Sequence, residues 1–115
     1  MAQPAIDPTT FEELQQTAGT EFVRELVDTF LTEAPLMLAT LDRALAARNA
    51  DEFRRAAHSL KSNSNTFGAF ALGALARDLE LAGIDPVLAD NAKSLEALRL
   101  EYAHVATALT ELRHA

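Results

Sequence analysis

The stretch that decides the fold is residues 53–68, with the sequence FRRAAHSLKSNSNTFG. At about 100° per residue of an α-helix, one arc collects Phe53, Ala56, Ala57, Leu60, Ser64 and Phe67. His58 points about 160° away from the centre of this arc. The pattern therefore predicts an amphipathic helix that directs Ser64 toward the core and exposes His58 to solvent.

The chain before this helix shows the same helical periodicity. Residues 1–8 include two prolines and are expected to form an extended N-terminal arm. Thr9 or Thr10 is then placed to cap a short helix, which Gly19 ends. A second helix is predicted over 20–33, because its apolar residues return at helical spacing.

Pro35 is expected to begin a separate helix, because proline is favoured in the first turn, where its missing N–H costs nothing. This helix would run to about residue 48, with Leu38 at the edge of its apolar face. Its predicted buried residues are Met37, Leu41, Ala44 and Leu45. After a short turn, Asp51 is expected to cap the helix that carries His58.

Two further helices are predicted toward the C-terminus. One contains the apolar residues of 72–79 and is closed by Gly83, after which 84–86 should interrupt the chain. The last helix is expected from about Asp90 onward. Amphipathic helices joined by short turns can bury their apolar faces only against each other. We therefore predict an all-α fold, an antiparallel four-helix bundle with a short extra N-terminal helix, as a single domain over 9–115.

Composition excludes several classes of function. The chain has 115 residues, of which 17 are acidic and 10 basic, for a net charge of -7, so a general attraction to nucleic acid or anionic membranes is not expected. Cysteine is absent, which excludes disulfides and thiol catalysis. No apolar run approaches the ~20 residues of a membrane span, and no export signal opens the chain, so we expect a soluble cytoplasmic protein. A Gly-rich phosphate loop is also missing, so no ATP site is expected.

The exposed side of the helix around His58 carries cations and hydrogen-bond donors. Arg54 lies one turn before His58, Lys61 and Ser62 lie one turn after it, and Asn65 lies two turns after it. A phosphoryl group on the imidazole would bring negative charge, which Lys61 and Arg54 could neutralise. Ser62 or Asn65 could donate hydrogen bonds to its oxygens. On an acidic chain, this cluster predicts a site that receives phosphate or gives it up.

Residues 58–68 resemble the signature of histidine-containing phosphotransfer (HPt) domains. In that signature a surface histidine is followed at the third position by lysine and at the tenth by glycine, which His58, Lys61 and Gly68 match. Ser62 is a departure, because many members have glycine there, although serine keeps the position small. The resemblance implies a helical bundle of about this size.

The resemblance also implies a phosphorelay intermediate of two-component signalling. His58 would accept a phosphoryl group from an aspartate of a receiver domain in a hybrid sensor kinase and pass it to a response regulator, while Lys61 would stabilise the phosphate. Residues expected in supporting roles are Arg54, Ser62, Asn65 and Gly68. The chain would be a monomeric carrier without a kinase domain or cofactor of its own, since the receiver supplies Mg²⁺ and an acidic pocket.

Two alternatives belong to other classes of protein. A non-catalytic adaptor would bind a receiver or kinase without carrying phosphate, but it would have no chemical reason to keep the pair His58 and Lys61. A phosphatase acting on aspartyl phosphate would need a side chain that positions water. The sequence suggests no exposed acidic or amide residue beside His58 except Asn65, two turns away.

The remaining histidines are expected to have no role in phosphate transfer. His104 has the acidic neighbours Glu101 and Glu111, which would repel phosphate, and His114 lies near the chain end. Glu101 and His104 have the Glu-x-x-His spacing of paired-metal sites in helical bundles, but the sequence contains no second copy. We therefore expect no metal site there.

Overall fold

The computed structural model describes residues 4–113, and within that range it contains six α-helices and no β-strand. They are α1 (Pro8–Ala18), α2 (Thr20–Ala47), α3 (Ala50–Thr66), α4 (Phe70–Ala82), α5 (Ile84–Ala89) and α6 (Lys93–Arg113). Contacts run from α2 to α3, α3 to α4, α4 to α6 and α6 back to α2, which closes a bundle of the four longest helices. The predicted all-α bundle with a short N-terminal helix is confirmed. Between residues 4 and 113, none of the helices combines the length and hydrophobicity of a membrane span.

The helix α3 lies against both α2 and α4 and buries the predicted face. Phe53, Ala57 and Leu60 are fully buried. Ser64 is also fully buried, and its Oγ donates a hydrogen bond of 2.6 Å to the carbonyl oxygen of Leu60. The hydroxyl is thereby satisfied within its own helix, so a serine can occupy a core position where the neighbouring helices approach. The predicted direction of Ser64 is confirmed.

The predicted helix break at Pro35 is wrong, because α2 continues through it as one helix of 28 residues. Pro35 is exposed, so its ring lies on the solvent side of α2. A continuous apolar face on the opposite side stabilises the helix across this position. It buries Ala34, Leu38, Leu41 and Ala44, whereas Met37 and Leu45 are only partly buried, contrary to prediction.

The helix caps also differ from the prediction. Asp7, not Thr9 or Thr10, caps α1, and its Oδ2 accepts hydrogen bonds from the Thr10 backbone N–H at 3.0 Å and hydroxyl at 2.6 Å. Those two bonds, the hydroxyl bond first, hold the pKa of Asp7 below its ordinary value. Asn49, not Asp51, caps α3 and accepts a hydrogen bond of 3.1 Å from the Glu52 N–H. In both cases the cap is the residue whose side chain accepts a hydrogen bond from the backbone N–H three positions later in the chain.

The segment between α4 and α6 is helical where an interruption was predicted. Residues 84–89 form α5, which buries Ile84 and Val87 against the core. The last helix starts at Lys93 and not at Asp90, because Asn91 and Ala92 take the left-handed conformation, with φ of 57° and 61°. Burial of two apolar side chains stabilises this short segment as a helix, and its proline lies in the first turn, where a missing N–H costs nothing.

Gly68 joins the N-terminal segment to the turn between α3 and α4. Its φ is +84°, and its carbonyl oxygen accepts a hydrogen bond of 2.9 Å from the Asp7 N–H. A Cβ at this position would lie 3.1 Å from the Asp7 carbonyl oxygen and 3.0 Å from the Thr10 Cβ. Both the backbone conformation and the close approach of the α1 cap therefore require glycine here.

Candidate functional site

His58 occupies the middle of α3, on the side that faces α4, and its side chain is 56% exposed. The residues flanking it along the core face, Ala57 and Leu60, are fully buried and fix the rotation of α3. The predicted display of the ring to solvent agrees with this geometry. The imidazole is thus held on a rigid helix and remains accessible to another protein.

One carboxylate contacts the imidazole. The Oε2 atom of Glu80, on α4, lies 2.6 Å from His58 Nδ1, and its Oε1 atom lies 2.8 Å from Lys61 Nζ. The side chain of Glu80 is only 14% exposed, so the two contacts occur partly out of solvent. Glu80 therefore bridges the histidine and the lysine of the sequence signature through separate oxygens.

The charge of Glu80 determines which nitrogen of His58 carries the proton. The hydrogen bond from Lys61 lowers the pKa of Glu80, the hydrogen bond from His58 adds to this effect, and desolvation opposes it. At neutral pH Glu80 is therefore an ionised carboxylate, which can only accept hydrogen bonds. It follows that His58 Nδ1 is the protonated nitrogen, assigned from this network, and that Nε2 of the neutral ring bears the free lone pair.

Lys61 lies one turn after His58 on the same side of α3 and is 24% exposed. Its ammonium group donates to Glu80 Oε1 at 2.8 Å, and the flexible lysine stem lies one helical turn from the imidazole. In the present state, Glu80 supplies the negative charge that the ammonium pairs with. An anion on Nε2 would offer Lys61 a second partner.

Arg54 and Arg55 both form ion pairs with Asp51. Arg54 Nη2 donates to Asp51 Oδ1 at 2.8 Å, and Arg55 Nη2 lies 3.1 Å from Asp51 Oδ2. All three side chains are exposed, so these pairs are weak and can exchange partners. Arg54 remains within one helical turn of His58, as predicted from the sequence.

The other residues singled out in the sequence lie at different places. Ser62 is exposed on α3, one turn after His58, and its carbonyl oxygen accepts a hydrogen bond of 3.0 Å from the Thr66 hydroxyl. Asn65 directs its side-chain amide against α4 at Gly73. Gly68 is buried at the α1 contact, ten residues after His58, and does not adjoin the imidazole.

Sequence reasoning missed Glu80, a largely buried carboxylate, because it considered only exposed acidic and amide residues beside His58. The residue lies on a different helix, but the predicted turn contained a signal. In two antiparallel helices joined by a tight turn, residues equally distant from that turn face each other. His58 lies eleven residues before Ala69, and Glu80 lies eleven residues after it. Each oxygen of Glu80 is engaged by one of these two side chains, His58 through Oε2 and Lys61 through Oε1.

The second histidine, His104, has a simpler environment. It is exposed on α6, and its Nδ1 lies 3.6 Å from Glu101 Oε1 within the same helix. Within residues 4–113, no group of three or more His, Asp or Glu side chains is placed to hold a metal ion. The prediction for His114 falls outside the described residues.

Comparisons with known proteins agree with this geometry. A family model described as "Hpt domain" matches residues 25–115. Among solved structures, histidine-containing phosphotransfer protein B (HptB) from Pseudomonas aeruginosa PAO1 is similar, with 28% sequence identity and a TM-score of 0.87. The similarity covers 98% of this chain and 97% of that protein. The curated protein sequences gave no match to the chain.

Proposed function

Because the chain belongs to the Hpt domain family, whose members are phosphotransfer intermediates, we propose that His58 accepts a phosphoryl group from a receiver-domain aspartate and passes it to the aspartate of a second receiver. The observation that carries this proposal is the orientation of an exposed imidazole by Glu80. That contact leaves Nε2 as a lone-pair nitrogen on a surface that a partner can reach.

The chemistry follows from the two nitrogens of the ring. Nε2 attacks the phosphorus of the aspartyl phosphate, an N–P bond forms, and the P–O bond to the aspartate breaks, so that the aspartate leaves as a carboxylate. The imidazole gains positive charge while Nδ1 keeps its proton. Glu80 accepts the hydrogen bond from Nδ1 throughout and stabilises that charge. Attack by the second aspartate reverses these steps and restores the neutral ring.

Lys61 supports the phosphorylated state through its charge. When a phosphoryl group resides on Nε2, the ammonium of Lys61 can donate to a phosphoryl oxygen while remaining close to Glu80. Arg54 is a second cation within one turn, and its present partner Asp51 is exposed and exchangeable. Ser62 keeps the surface beside His58 small. We assign these residues to stabilisation of phosphate and access of the partner.

The residues of this site do not fit a metal ion of their own. Glu80 is the carboxylate in contact with the imidazole, and its oxygens are occupied by His58 and Lys61. We expect the Mg²⁺ that supports the transfer to be held by the acidic pocket of the receiver. The protein would then act as a monomeric carrier in the cytoplasm, between the receiver of a hybrid sensor kinase and that of a response regulator.

The decisive experiment uses a receiver domain carrying radioactive phosphate on its aspartate. His58→Gln is expected to abolish transfer of label to the protein and to leave its helical circular dichroism unchanged, because His58 is exposed. His104→Gln is the matched control, since it removes an exposed histidine on another helix, and it should be labelled as the wild type is. Undiminished labelling of His58→Gln would refute the assignment. Binding of the receiver to wild-type protein without any label on it would favour the adaptor.

A further inference from the structure

Arg77 is an exposed cation of α4, on the part of that helix that packs beside His58. It lies one turn before Glu80, so the two side chains are neighbours on the surface of α4. Arg77 lies eight residues after Ala69 and Lys61 lies eight residues before it. The register that pairs His58 with Glu80 therefore places Arg77 opposite Lys61.

Arg77 differs from the other cations near His58 because it has no anionic partner. Arg54 and Lys61 each donate to a carboxylate oxygen at 2.8 Å. Between residues 4 and 113, no carboxylate lies within ion-pair distance of Arg77. Arg77 can therefore bind an incoming anion without first losing a partner.

The burial of Glu80 makes this difference important. Its side chain is 14% exposed, so complete transfer of Lys61 to a phosphoryl group would leave a largely buried carboxylate without its cation. An unpaired charge away from water is costly. Arg77 carries no such cost, and its planar guanidinium presents N–H donors in a fork that fits two phosphoryl oxygens at once.

We propose that Arg77 binds the phosphoryl group on His58, so that Lys61 can remain paired with Glu80 while the group is carried. The long side chain of Arg77 extends from the outer surface of α4, where the imidazole is also exposed. This inference deepens the proposed function and rests on His58 as the phosphate acceptor. It assigns to α4 a phosphate-binding residue in addition to the carboxylate that orients the ring.

The test uses phosphoramidate, a small-molecule donor, so that no receiver is needed. Its P–N bond breaks, ammonia leaves and the phosphoryl group becomes bonded to Nε2 of His58. Replacing His104 and His114 by glutamine leaves His58 as the single histidine of this background. A neighbouring cation lowers the pKa of a phosphoryl group, so Arg77→Gln should raise that pKa by a few tenths of a unit in a ³¹P titration, as expected for one exposed ion pair. The ¹⁵Nε signal of Arg77 should also shift when His58 is phosphorylated.

Arg24→Gln is the matched control, because it removes the same charge from another exposed arginine. Arg24 lies near the start of α2, where Leu26 lines a cleft with Phe67 at the C-terminal end of α3. The control should therefore leave the phosphoryl pKa unchanged.

An unchanged phosphoryl pKa in Arg77→Gln would overturn the proposal, and so would a ¹⁵Nε signal that does not respond to phosphorylation. Slower transfer from a receiver with an unchanged phosphoryl pKa would also overturn it, because Arg77 would then contact the receiver and not the phosphate. If phosphorylated receivers transferred no label to the wild-type protein, the relay would fail, while the chemically phosphorylated protein would still decide the role of Arg77.

Discussion

Replacing Gly68 by alanine tests whether the last residue of the signature serves stability or phosphate transfer. The sequence groups Gly68 with His58 and Lys61, but the structure places it against the cap of α1. Its carbonyl oxygen accepts the Asp7 N–H at 2.9 Å, and its φ is +84°. We therefore expect Gly68→Ala to destabilise the fold and to leave the chemistry of His58 intact.

Two costs contribute to the expected loss of stability. Forcing an alanine into the left-handed region costs about 1–2 kcal/mol. The new Cβ would also lie 3.1 Å from the carbonyl oxygen of Asp7, a backbone atom that cannot rotate away, and such overpacking costs about 1–3 kcal/mol. The free energy of unfolding should fall by about 2–5 kcal/mol. For 115 residues this corresponds to a loss of roughly 8–20 °C in the midpoint of thermal unfolding, at about 4 °C per kcal/mol.

The assay is thermal unfolding followed by circular dichroism, with Gly83→Ala as control. Gly83 also has a positive φ, +79°, but a Cβ there would have no heavy atom within 4 Å. Its ψ of -166° places it in a region nearly restricted to glycine, so the control should show a conformational cost of about 1–3 kcal/mol without the collision. Hydrogen exchange should in addition show loss of protection at the Asp7 amide in Gly68→Ala.

The comparison has outcomes that would refute the reasoning. Equal losses in Gly68→Ala and Gly83→Ala would show that the contact with α1 contributes nothing. At temperatures below unfolding, Gly68→Ala should accept label at the wild-type rate, because the residue lies ten positions from His58 on the turn. A slow but fully folded Gly68→Ala would instead place Gly68 in the transfer itself.

The remaining predictions concern the carboxylate and the lysine beside the imidazole. Glu80→Gln should slow label acceptance by roughly tenfold, because the amide accepts a weaker hydrogen bond from His58. Glu96→Gln, at an exposed position of α6, is the control and should not slow it. Equal rates in the two variants would contradict this role of Glu80. The pKa of Glu80 is lowered in the folded state, so its stabilising contribution is complete above its ordinary value of 4.5 and is lost as the pH falls through the lowered value. On acidification, the midpoint temperature of unfolding of the wild type should therefore fall toward that of Glu80→Gln. A difference between the two midpoints that does not change with pH would contradict this stabilising role of the Glu80 charge. Lys61→Ala should slow transfer and shorten the lifetime of phosphohistidine, measured by the decay of label, with unchanged helicity; wild-type time courses in both directions would remove this role.

The helices and the exposure of the site could be predicted from sequence, because both depend on one helix at a time. Phe53, Leu60 and Ser64 share a face by simple rotation, and the same rotation puts His58 outside. The break at Pro35 could not be judged in this way. Whether a helix tolerates proline depends on whether the freed carbonyl faces solvent and on how much apolar surface lies opposite, which are properties of the packed bundle.

The partner of His58 depends on two helices and on the turn between them. Glu80 is 22 residues away, and its contact requires the position of the turn, the antiparallel register and the rotation of α4 together. Asp7 as the cap of α1 shows the same limit on a smaller scale. Asp7 is the cap because its carboxylate accepts hydrogen bonds from both the backbone N–H and the hydroxyl of Thr10.

The pairing of Asp51 with two arginines has a consequence for encounters with other proteins. Around His58, Arg54 and Arg55 are offset by Asp51, just as Lys61 is offset by Glu80. Pairing with these anions reduces the net charge that Arg54, Arg55 and Lys61 present, and dissolved ions attenuate the remainder within about 10 Å at 0.1 M ionic strength. Long-range attraction is therefore weak on this side of the bundle, and its association rate should respond little to added salt. Recognition here depends mainly on shape and short-range contacts, and each of these three cations becomes available only as its own counterion is displaced.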